Sequence, residues 1–336
     1  MPSHLISRDR LRALLASASR QRIAIVGDAM LDVYLRGDVE RISPEAPVPV
    51  VRVRERRFAL GGAANVAQNV SALGATPELV ATIGTDPAAA RLRDMLVTLG
   101  GEDRGLVEVA RATTTKTRIV ARSQQLVRVD EEVTEDCTAG DVDRLLDAVA
   151  RAVASCDAII LEDYNKGVLV PQVIEQSLAL AAKKGIPVVV DPKYRNFFSY
   201  RGATVFKPNR RELEAALGAA VDLDRPDTLP ELVQRLGVRC LLLTLSEQGM
   251  TLIEEGSSAA GVHRSPTTAR EVYDVLGAGD TVTAYLAAML AGGASPLEAS
   301  VVAIFAAGVE VGKLGAASVT PAEVEAAYDE IGRAHV

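Results

Sequence analysis

Histidine, cysteine and tryptophan are scarce or missing in this chain of 336 residues, which has three histidines, three cysteines and no tryptophan. His4 and His335 lie near the chain ends and His263 stands alone in a loop rich in glycine and serine, so neither a Ser-His-Asp triad nor a histidine metal cluster is expected. The cysteines are odd in number and far apart, which excludes a disulfide framework and a paired zinc motif. We therefore expect a protein of the reducing cytoplasm.

The chain also lacks an excess of positive charge and a long uninterrupted apolar run. Its 37 Lys and Arg face 44 Asp and Glu, a net charge of −7, and nucleic acids require clustered cations, so no nucleic-acid partner is expected. The most apolar region, residues 282–311, contains Gly292, Gly293 and Pro296, which predicts two buried helices and no membrane span. The first 20 residues are amphipathic and unlike a signal peptide. We expect no membrane partner.

Short apolar runs alternate with helical stretches along most of the chain. The runs are typical of strands buried on both faces, and they lie at residues 23–26, 158–161, 186–190, 204–206 and 240–245. The helical stretches lie at residues 64–73, 88–99, 139–154, 171–184, 210–217 and 228–236. This alternation predicts an α/β fold with a mostly parallel central sheet flanked by helices. The last third, residues 277–332, is predicted to be almost entirely helical.

Two segments break this alternation, at residues 33–58 and 113–130. Both alternate apolar with polar or charged residues, a period of two that suits a small, half-exposed antiparallel sheet. We expect the two insertions to form a β-sheet lid on a single domain spanning residues 1–336, because no repeat or linker divides the chain. An apolar lid face commonly pairs with its twin, so a homodimer through the lid is expected.

The strongest single motif is Asp-Val-Leu-Gly-Ala-Gly-Asp at residues 274–280, just before a long apolar helix. Around Gly277, Ala278 and Gly279, backbone N–H groups can converge at the helix start, where the helix dipole adds positive potential. This predicts an anion hole. Asp280 beside a bound phosphoryl group is suited to take a proton from an attacking hydroxyl. The alternative is that Asp280 simply caps the helix, since aspartate is a favoured cap.

Two further motifs carry polar groups suited to sugar hydroxyls. Gly61, Gly62 and Asn65 open a predicted helix, although an ordinary glycine turn with an N-terminal asparagine explains them equally well. Asp28 and Asp32 follow the first predicted strand, and ligands of open α/β sheets collect at the carboxyl ends of strands. Two carboxylates there can accept hydrogen bonds from vicinal diols.

In combination, these motifs resemble the ribokinase-like (PfkB) carbohydrate kinase family over essentially the whole chain. The first family signature matches at Gly61, Asn65, Ala67, Gly74 and Gly84. The second matches at Asp274 and residues 277–280, and departs at Leu276, where Thr is usual, and at Tyr285, where a small residue is usual. Ala63 replaces the Lys of ribokinase, which argues against ribose as the substrate. The resemblance implies a ribokinase-like fold and ATP-dependent phosphorylation of a sugar.

Four other segments resemble family members that act in ADP-heptose synthesis for the lipopolysaccharide core: residues 126–130, 162–167, 191–193 and 207–212. The implied reaction phosphorylates D-glycero-β-D-manno-heptose 7-phosphate at O1 to give the 1,7-bisphosphate. In some bacteria this kinase is fused to a nucleotidyltransferase. Because this chain ends at Val336, we expect the free-standing form, with a separate adenylyltransferase acting downstream. A kinase of another sugar or sugar phosphate, and a non-catalytic sugar-sensing protein, are the alternatives.

The resemblance also implies a role for individual residues. Asp280 would deprotonate the anomeric hydroxyl, and residues 277–279 would supply the anion hole. ATP phosphates would hold most of the Mg²⁺ coordination, with Asn209 and Glu212 acting through water. The implied nucleotide-binding residues are Asn209, Arg210, Arg211, Glu212, Thr244, Ser246, Glu247 and Gly249. The implied sugar-binding residues are Asp28, Asp32, Gly61, Gly62, Asn65, Asp163 and Asn165.

A phosphorylated substrate needs cations of its own in an acidic protein. The candidates are Lys116, Arg118 and Arg128 in the predicted lid, with Lys166 and Lys193 after core strands. Alternation places Lys116 and Arg118 on one face of their strand. The alternative for any one of them is a solvated surface charge. We expect at least two of the five to contact the substrate phosphate.

Overall fold

The computed structural model describes residues 6–122, 124–223, 225, 229–256, 261–269, 272–313, 315 and 317–333. Within these residues the strands form two sheets, one of nine strands and one of four. Helices cover both faces of the nine-stranded sheet, because side chains of each central strand point alternately into two apolar cores. In the first strand, for example, Ile23 and Ile25 belong to one core, and Ala24 and Val26 to the other.

The large sheet has the order β13-β12-β11-β10-β9-β8-β1-β4-β5. Its strands are β1 (Arg22–Gly27), β4 (Thr76–Ile83), β5 (Leu106–Glu108), β8 (Ala158–Glu162), β9 (Val188–Asp191), β10 (Val205–Phe206), β11 (Cys240–Thr244), β12 (Met250–Glu254) and β13 (Val262–Ser265). From β11 to β5 every pair is parallel, and β12 and β13 add an antiparallel edge. The carboxyl ends of β1, β8 and β9 therefore lie side by side.

The helices divide between the two faces of this sheet. One core contains side chains of α1 (Arg8–Ala18), α2 (Ala63–Ala72), α3 (Pro87–Thr98), α8 (Ala278–Ala291), α9 (Pro296–Glu310) and α10 (Pro321–Arg333). The other contains side chains of α4 (Ala139–Ser155), α5 (Pro171–Lys184), α6 (Arg210–Leu217) and α7 (Leu229–Leu236). The α8 helix is buried almost all round, which explains its uniformly apolar sequence.

The small sheet contains β3 (Pro49–Gly62), β2 (Ala29–Ile42), β6 (Thr115–Ala121) and β7 (Gln124–Glu131), in that order. The β2–β3 and β6–β7 pairs are antiparallel, and β2 pairs with β6 in parallel. Since β2 starts directly after Asp28 and β3 runs into α2, the small sheet is joined to the large one beside the carboxyl end of β1.

The α/β prediction is confirmed, with its mostly parallel sheet, flanking helices and second small sheet. The predicted helix at 228–236 is described from Leu229, and position 228 lies outside the described residues. His263 belongs to the edge strand β13, where a loop was expected. Strand β4 was not predicted, because a proline and a glutamate interrupt its apolar run. Glu78 is nevertheless buried, paired with Arg22 at 3.2 Å and Arg104 at 3.0 Å.

Among the described helices, none has the length and apolar character needed to cross a bilayer.

Candidate active site

The candidate site lies where the carboxyl ends of three parallel strands meet the amino end of α8. The strand register places Gly27 opposite Glu162, and Glu162 opposite Asp191. Asp28 follows β1, and Asp280 lies in the first turn of α8. Carboxylates from four parts of the sequence are thus gathered at one edge of the sheet, as expected for a ligand site in an open α/β fold.

Asp280 is held between two hydrogen-bond donors and is only 6% exposed. The Asn65 amide donates to its Oδ2 at 2.6 Å, and the Tyr164 hydroxyl donates to its Oδ1 at 2.9 Å. Burial is the largest cause that raises the pKa of Asp280 to about 6, while the bond from Asn65 acts in the opposite direction. A carboxylate with this pKa is ionised at neutral pH and is a better proton acceptor than an exposed aspartate.

The α8 amino end is open, since Gly277 occupies the cap position and no side chain caps the helix. Asp280 therefore does not act as the helix cap, which removes the structural alternative for this residue. Gly277 has φ of 94°, a left-handed conformation that favours glycine. A β-carbon on Gly279 would lie 3.6 Å from the Lys207 ammonium. A buried cation thus borders the loop that was predicted to bind an anion.

Three of the carboxylates at this edge form a compact buried cluster. One oxygen from each of Glu162, Asp191 and Asp280 lies within 4.8 Å of the other two. The Lys207 ammonium hydrogen-bonds Asp191 at 2.8 Å. Burial, followed by the charges of Asp191 and Asp280, raises the pKa of Glu162. Carboxylate oxygens arranged in this way could hold a divalent cation such as Mg²⁺.

Asp28 holds a loop in place. Its Oδ2 accepts hydrogen bonds from the backbone N–H groups of Tyr164 at 2.8 Å and Lys166 at 3.0 Å, and its Oδ1 accepts one from Val168 at 3.2 Å. Burial is the main cause that raises the pKa of Asp28 to about 6. With three donors on a side chain that is 2% exposed, Asp28 fixes the loop that delivers the Tyr164 hydroxyl to Asp280.

Asp163 and Asn165, two other predicted sugar-binding residues, also stabilise this loop. Asp163 accepts hydrogen bonds from the Asn165 backbone at 2.7 Å and the Tyr200 hydroxyl at 2.8 Å, and burial raises its pKa. Asn165 has φ of 54°, and its Oδ1 accepts a bond of 3.4 Å from the Arg195 backbone. In the structure, the side chains of Asp163 and Asn165 are therefore both hydrogen-bonded to other groups of the protein.

Gly61, Gly62 and Asn65 connect the small sheet with the site. Gly62 has φ of 55°, and a β-carbon there would lie 2.4 Å from the Asp28 carbonyl oxygen, so glycine is required. A β-carbon on Gly61 would lie 2.7 Å from an Asp32 carboxylate oxygen. Asn65 is buried with Asp280, and its own Oδ1 has no hydrogen-bond partner among the described residues. That oxygen is an available acceptor for a ligand hydroxyl.

All five cations predicted for the substrate phosphate are paired with carboxylates. Arg118 forms an ion pair with Asp32 and lies over the Tyr34 ring. Lys193 pairs with Glu212 and lies over the Tyr164 ring. The remaining contacts are Lys116 with Asp130 and Glu132, Lys166 with Glu132, and Arg128 with Asp130. The cations therefore fall into three groups, and Lys193 shares a neighbour with Asp280, since both contact Tyr164.

The predicted nucleotide-binding residues belong to two segments, the amino end of α6 and the loop that follows β11, which one backbone bridge connects. Asn209 and Glu212 form a capping box there, with bonds of 2.8 and 2.9 Å. A bridge joins Asn209 to Thr244, which opens the loop that continues through Ser246, Glu247 and Gly249. Gly249 has φ of 89°, and a β-carbon there would lie 2.1 Å from the Ser265 carbonyl oxygen. Arg210 pairs with Glu214 at 2.8 Å, and Arg211 is exposed.

Sequence reasoning missed four residues of this site: Glu162, Tyr164, Asp191 and Lys207. Each lies in a segment quoted for the family resemblance, but none was singled out. Glu162 and Asp191 carry a detectable signal, since each is the acidic residue that ends an apolar run predicted as a parallel strand. No sequence signal links Tyr164 to Asp280, 116 positions later.

Comparison with known proteins relates the chain to a family of carbohydrate kinases. Residues 20–323 match the family described as pfkB family carbohydrate kinase. The bifunctional protein HldE of Rhodospirillum rubrum is 46% identical over 95% of the chain and 64% of its own length. HldE of Azorhizobium caulinodans is 46% identical over 94% of the chain and 66% of its own length. The chain thus spans just under two thirds of these relatives.

The fold is also that of a solved ribokinase. The crystal structure of ribokinase from Thermotoga maritima superimposes with a TM-score of 0.69 at 22% identity, covering 92% of this chain and 99% of that one. At this identity the likeness concerns the fold, and it confirms the ribokinase-like architecture. The family match over most of the chain, together with the two HldE relatives, establishes that this chain belongs to the pfkB family of carbohydrate kinases.

Proposed function

We propose that this chain transfers the γ-phosphoryl group of ATP to O1 of D-glycero-β-D-manno-heptose 7-phosphate. The observation that carries the proposal is the buried Asp280, with a pKa of about 6, beside the uncapped amino end of α8. Asp280 takes the proton of the anomeric hydroxyl. The oxygen of that hydroxyl, O1 of the sugar, bonds to the γ-phosphorus while the bond between the γ-phosphorus and the ADP oxygen breaks. Backbone N–H groups of residues 277–279 stabilise the charge on the transferring group.

The heptose phosphate is proposed as the acceptor because of the resemblance in four segments and the identity with HldE proteins. Three of those segments, residues 162–167, 191–193 and 207–212, supply side chains to the candidate site. Residues 126–130 lie in β7 of the small sheet, where Asp130 binds Lys116 and Arg128. We expect at least two of the five predicted cations to exchange a carboxylate partner for the substrate phosphate.

ATP is proposed to bind along the α6 amino end and residues 244–249. Mg²⁺ would neutralise charge on the ATP phosphates during transfer. The residues present fit such an ion, since Glu162 offers two buried carboxylate oxygens without hydrogen-bond partners among the described residues. Asn209 and Glu212 were predicted to act through water. In this structure their side chains bind each other's backbone, and Glu212 also binds Lys193.

The predictions about domain organisation, cellular location and partners are also retained as proposals. A single kinase domain acts in the cytoplasm, and a separate adenylyltransferase acts downstream in the pathway. A homodimer through the small sheet is supported by exposed apolar side chains on its strands and hairpin tip: Ile42, Val48, Val53, Val127 and Val129. Sedimentation of the purified chain measures this directly, and a monomer at all concentrations would contradict the dimer.

The deciding experiment is an acceptor panel read by ADP release. We expect heptose 7-phosphate to exceed fructose phosphates, ribose and adenosine in kcat/KM by at least 10-fold, with Asp280→Asn as the control of strongly reduced activity. A preference for another acceptor would contradict the proposed substrate but leave the proposed kinase activity in place. Binding of sugar without ADP release from any acceptor would favour a non-catalytic sensing protein.

A further inference from the structure

Glu132 connects two lysines that belong to different parts of the fold. Its Oε1 lies 2.7 Å from the Lys166 ammonium, and its Oε2 accepts a hydrogen bond of 3.1 Å from the Lys116 ammonium. Lys116 belongs to β6 of the small sheet, whereas Lys166 belongs to the loop that follows β8. Glu132 itself follows the last residue of β7. One carboxylate thus joins a cation of the small sheet to a cation beside the candidate site.

Both lysines lie next to residues of the candidate site. The parallel pairing of β2 with β6 places Lys116 opposite Asp32. The Lys166 backbone N–H donates to Asp28 at 3.0 Å, within the loop that carries Tyr164. The side chains of Lys116 and Lys166 are only 17% and 15% exposed, so water covers little of either. The two ammonium groups therefore meet where the small sheet borders the loop that orients the proposed base.

Positive charge exceeds negative charge at this junction, although the chain as a whole is acidic. Three cations, Lys116, Arg128 and Lys166, share two carboxylates, Asp130 and Glu132. Among the described residues, the Lys166 ammonium has Glu132 as its sole ion-pair partner. Burial acts to raise the pKa of Glu132, but the bonds from Lys166 and Lys116 outweigh it and hold the pKa below its ordinary value. Glu132 is therefore an anion at neutral pH, bound between two cations.

The Glu132 side chain can leave the lysines without unfolding its own segment. The backbone that follows it is held independently, since Arg195 donates to the Thr134 carbonyl at 2.6 Å and the Cys137 N–H donates to the Gly167 carbonyl at 3.1 Å. Carboxylate and phosphate oxygens accept the same charge-assisted hydrogen bonds from cations. A phosphate monoester carries more negative charge than a carboxylate at neutral pH, which favours its exchange for Glu132.

We infer that Glu132 occupies the place between Lys116 and Lys166 that the phosphate group of the sugar substrate takes, and that the phosphate displaces it. The identity of the phosphorylated sugar rests on the proposed function. Glu132 then determines specificity, because a sugar without a phosphate group has nothing to exchange for this carboxylate. Arg118 lies on the same face of β6 as Lys116 but is paired separately, with Asp32.

The test is a set of calorimetric titrations of the nucleotide-free full chain with heptose 7-phosphate and with the dephosphorylated heptose. Glu132→Gln removes the competing charge, so it should bind heptose 7-phosphate roughly 3- to 30-fold more tightly than the wild type. Its affinity for the dephosphorylated sugar should stay within about 3-fold. Adding Lys166→Met to Glu132→Gln should then weaken heptose 7-phosphate by about 10-fold or more.

The matched control is Glu131→Gln, which removes the same charge from the neighbouring residue. The Glu131 carboxylate accepts a hydrogen bond from the Thr115 hydroxyl at 2.9 Å and forms no ion pair with a described lysine. This variant should bind both sugars within about 3-fold of the wild type. Thermal unfolding verifies that each variant is folded at the titration temperature.

Inorganic phosphate separates this inference from the proposed substrate. It should bind more tightly to Glu132→Gln than to the wild type, and adding Lys166→Met should abolish the gain. With that result, an acceptor panel without heptose 7-phosphate activity would refute the proposed substrate and leave the assignment of Glu132 standing. Equal phosphate binding by the wild type and Glu132→Gln would overturn the inference. A Glu132→Gln variant that loses affinity equally for both sugars would also overturn it, since Glu132 would then only fasten the small sheet to the loop.

Discussion

Replacing Asp280 by asparagine separates its chemical role from its structural one. The variant keeps the size of the side chain but cannot accept a proton, so we expect kcat to fall by roughly 10²–10⁴. In the wild type, kcat should rise with pH and level off above the pKa of Asp280, which is about 6. The residual activity of Asp280→Asn should lack that step, because the group that titrates has been removed.

The effect on stability follows from the same pKa. Folding raises the pKa of Asp280 from its ordinary 3.8 to about 6, so the folded state binds this proton more tightly than the unfolded state. The resulting stabilisation is present below pH 4 and is lost as pH rises through 6. Two pH units correspond to up to about 3 kcal/mol in total, of which about 1.4 kcal/mol falls between pH 5 and pH 8. Asp280→Asn should not show this loss.

The hydrogen bonds around position 280 can also re-form in the Asp280→Asn variant. Tyr164 can donate to the new carbonyl oxygen, and Asn65 can turn its unpartnered Oδ1 towards the new amide. Urea unfolding of both proteins at pH 5 and pH 8 measures their free energies of unfolding. Between pH 5 and pH 8, the free energy of unfolding of the variant should rise by about 1.4 kcal/mol relative to that of the wild type. Activity within a few-fold of wild type, or an equal pH dependence of unfolding in both proteins, would refute the assignment of Asp280 as the base.

Three further outcomes are expected. Tyr164→Phe removes a donor that lowers the pKa of Asp280, so the acid limb of kcat against pH should move upwards with little change in KM, whereas the control Tyr200→Phe should leave it in place. Arg118→Ala should weaken heptose 7-phosphate by roughly 10- to 150-fold and the dephosphorylated sugar much less. Equal losses in paired binding titrations would mean that Arg118 acts through Asp32. Deleting residues 41–50, the tip of the β2–β3 hairpin, should raise KM for the sugar far more than for ATP, and equal effects would count against a lid.

The parallel sheet and the α8 site could be predicted because their signals are local. A buried parallel strand is a continuous apolar run, and the glycines of residues 277–279 stand directly before a helix. The small sheet was recognised by its period of two, although its strands begin and end several residues beyond the predicted bounds of 33–58. Its long hairpin strands extend into the core at Ala29 and Gly62, where they no longer alternate with solvent. Local patterns therefore gave the elements but not their full extent.

The roles within the site were harder to predict, because they depend on contacts between distant elements. Asp28 was expected to bind a sugar diol, yet three backbone N–H groups of residues 164–168 occupy its carboxylate. Those donors lie more than 130 positions away in sequence and arrive only through the parallel pairing of β1 with β8. The residue type and its place at a strand end were compatible with either role.

The acids at this edge differ in function because each has a different set of neighbours. Register alone places Glu162 and Asp191 side by side, and helix α8 adds Asp280 above them. Asp280 receives two donors, which orient it and keep its pKa within reach of neutral pH. Asp191 receives Lys207, and Glu162 receives no donor among the described residues. Similar burial thus leaves Asp280 oriented to accept a proton and Glu162 without a hydrogen-bond donor among the described residues. The donors supplied by α2 and by the segment between β8 and α5 account for the difference.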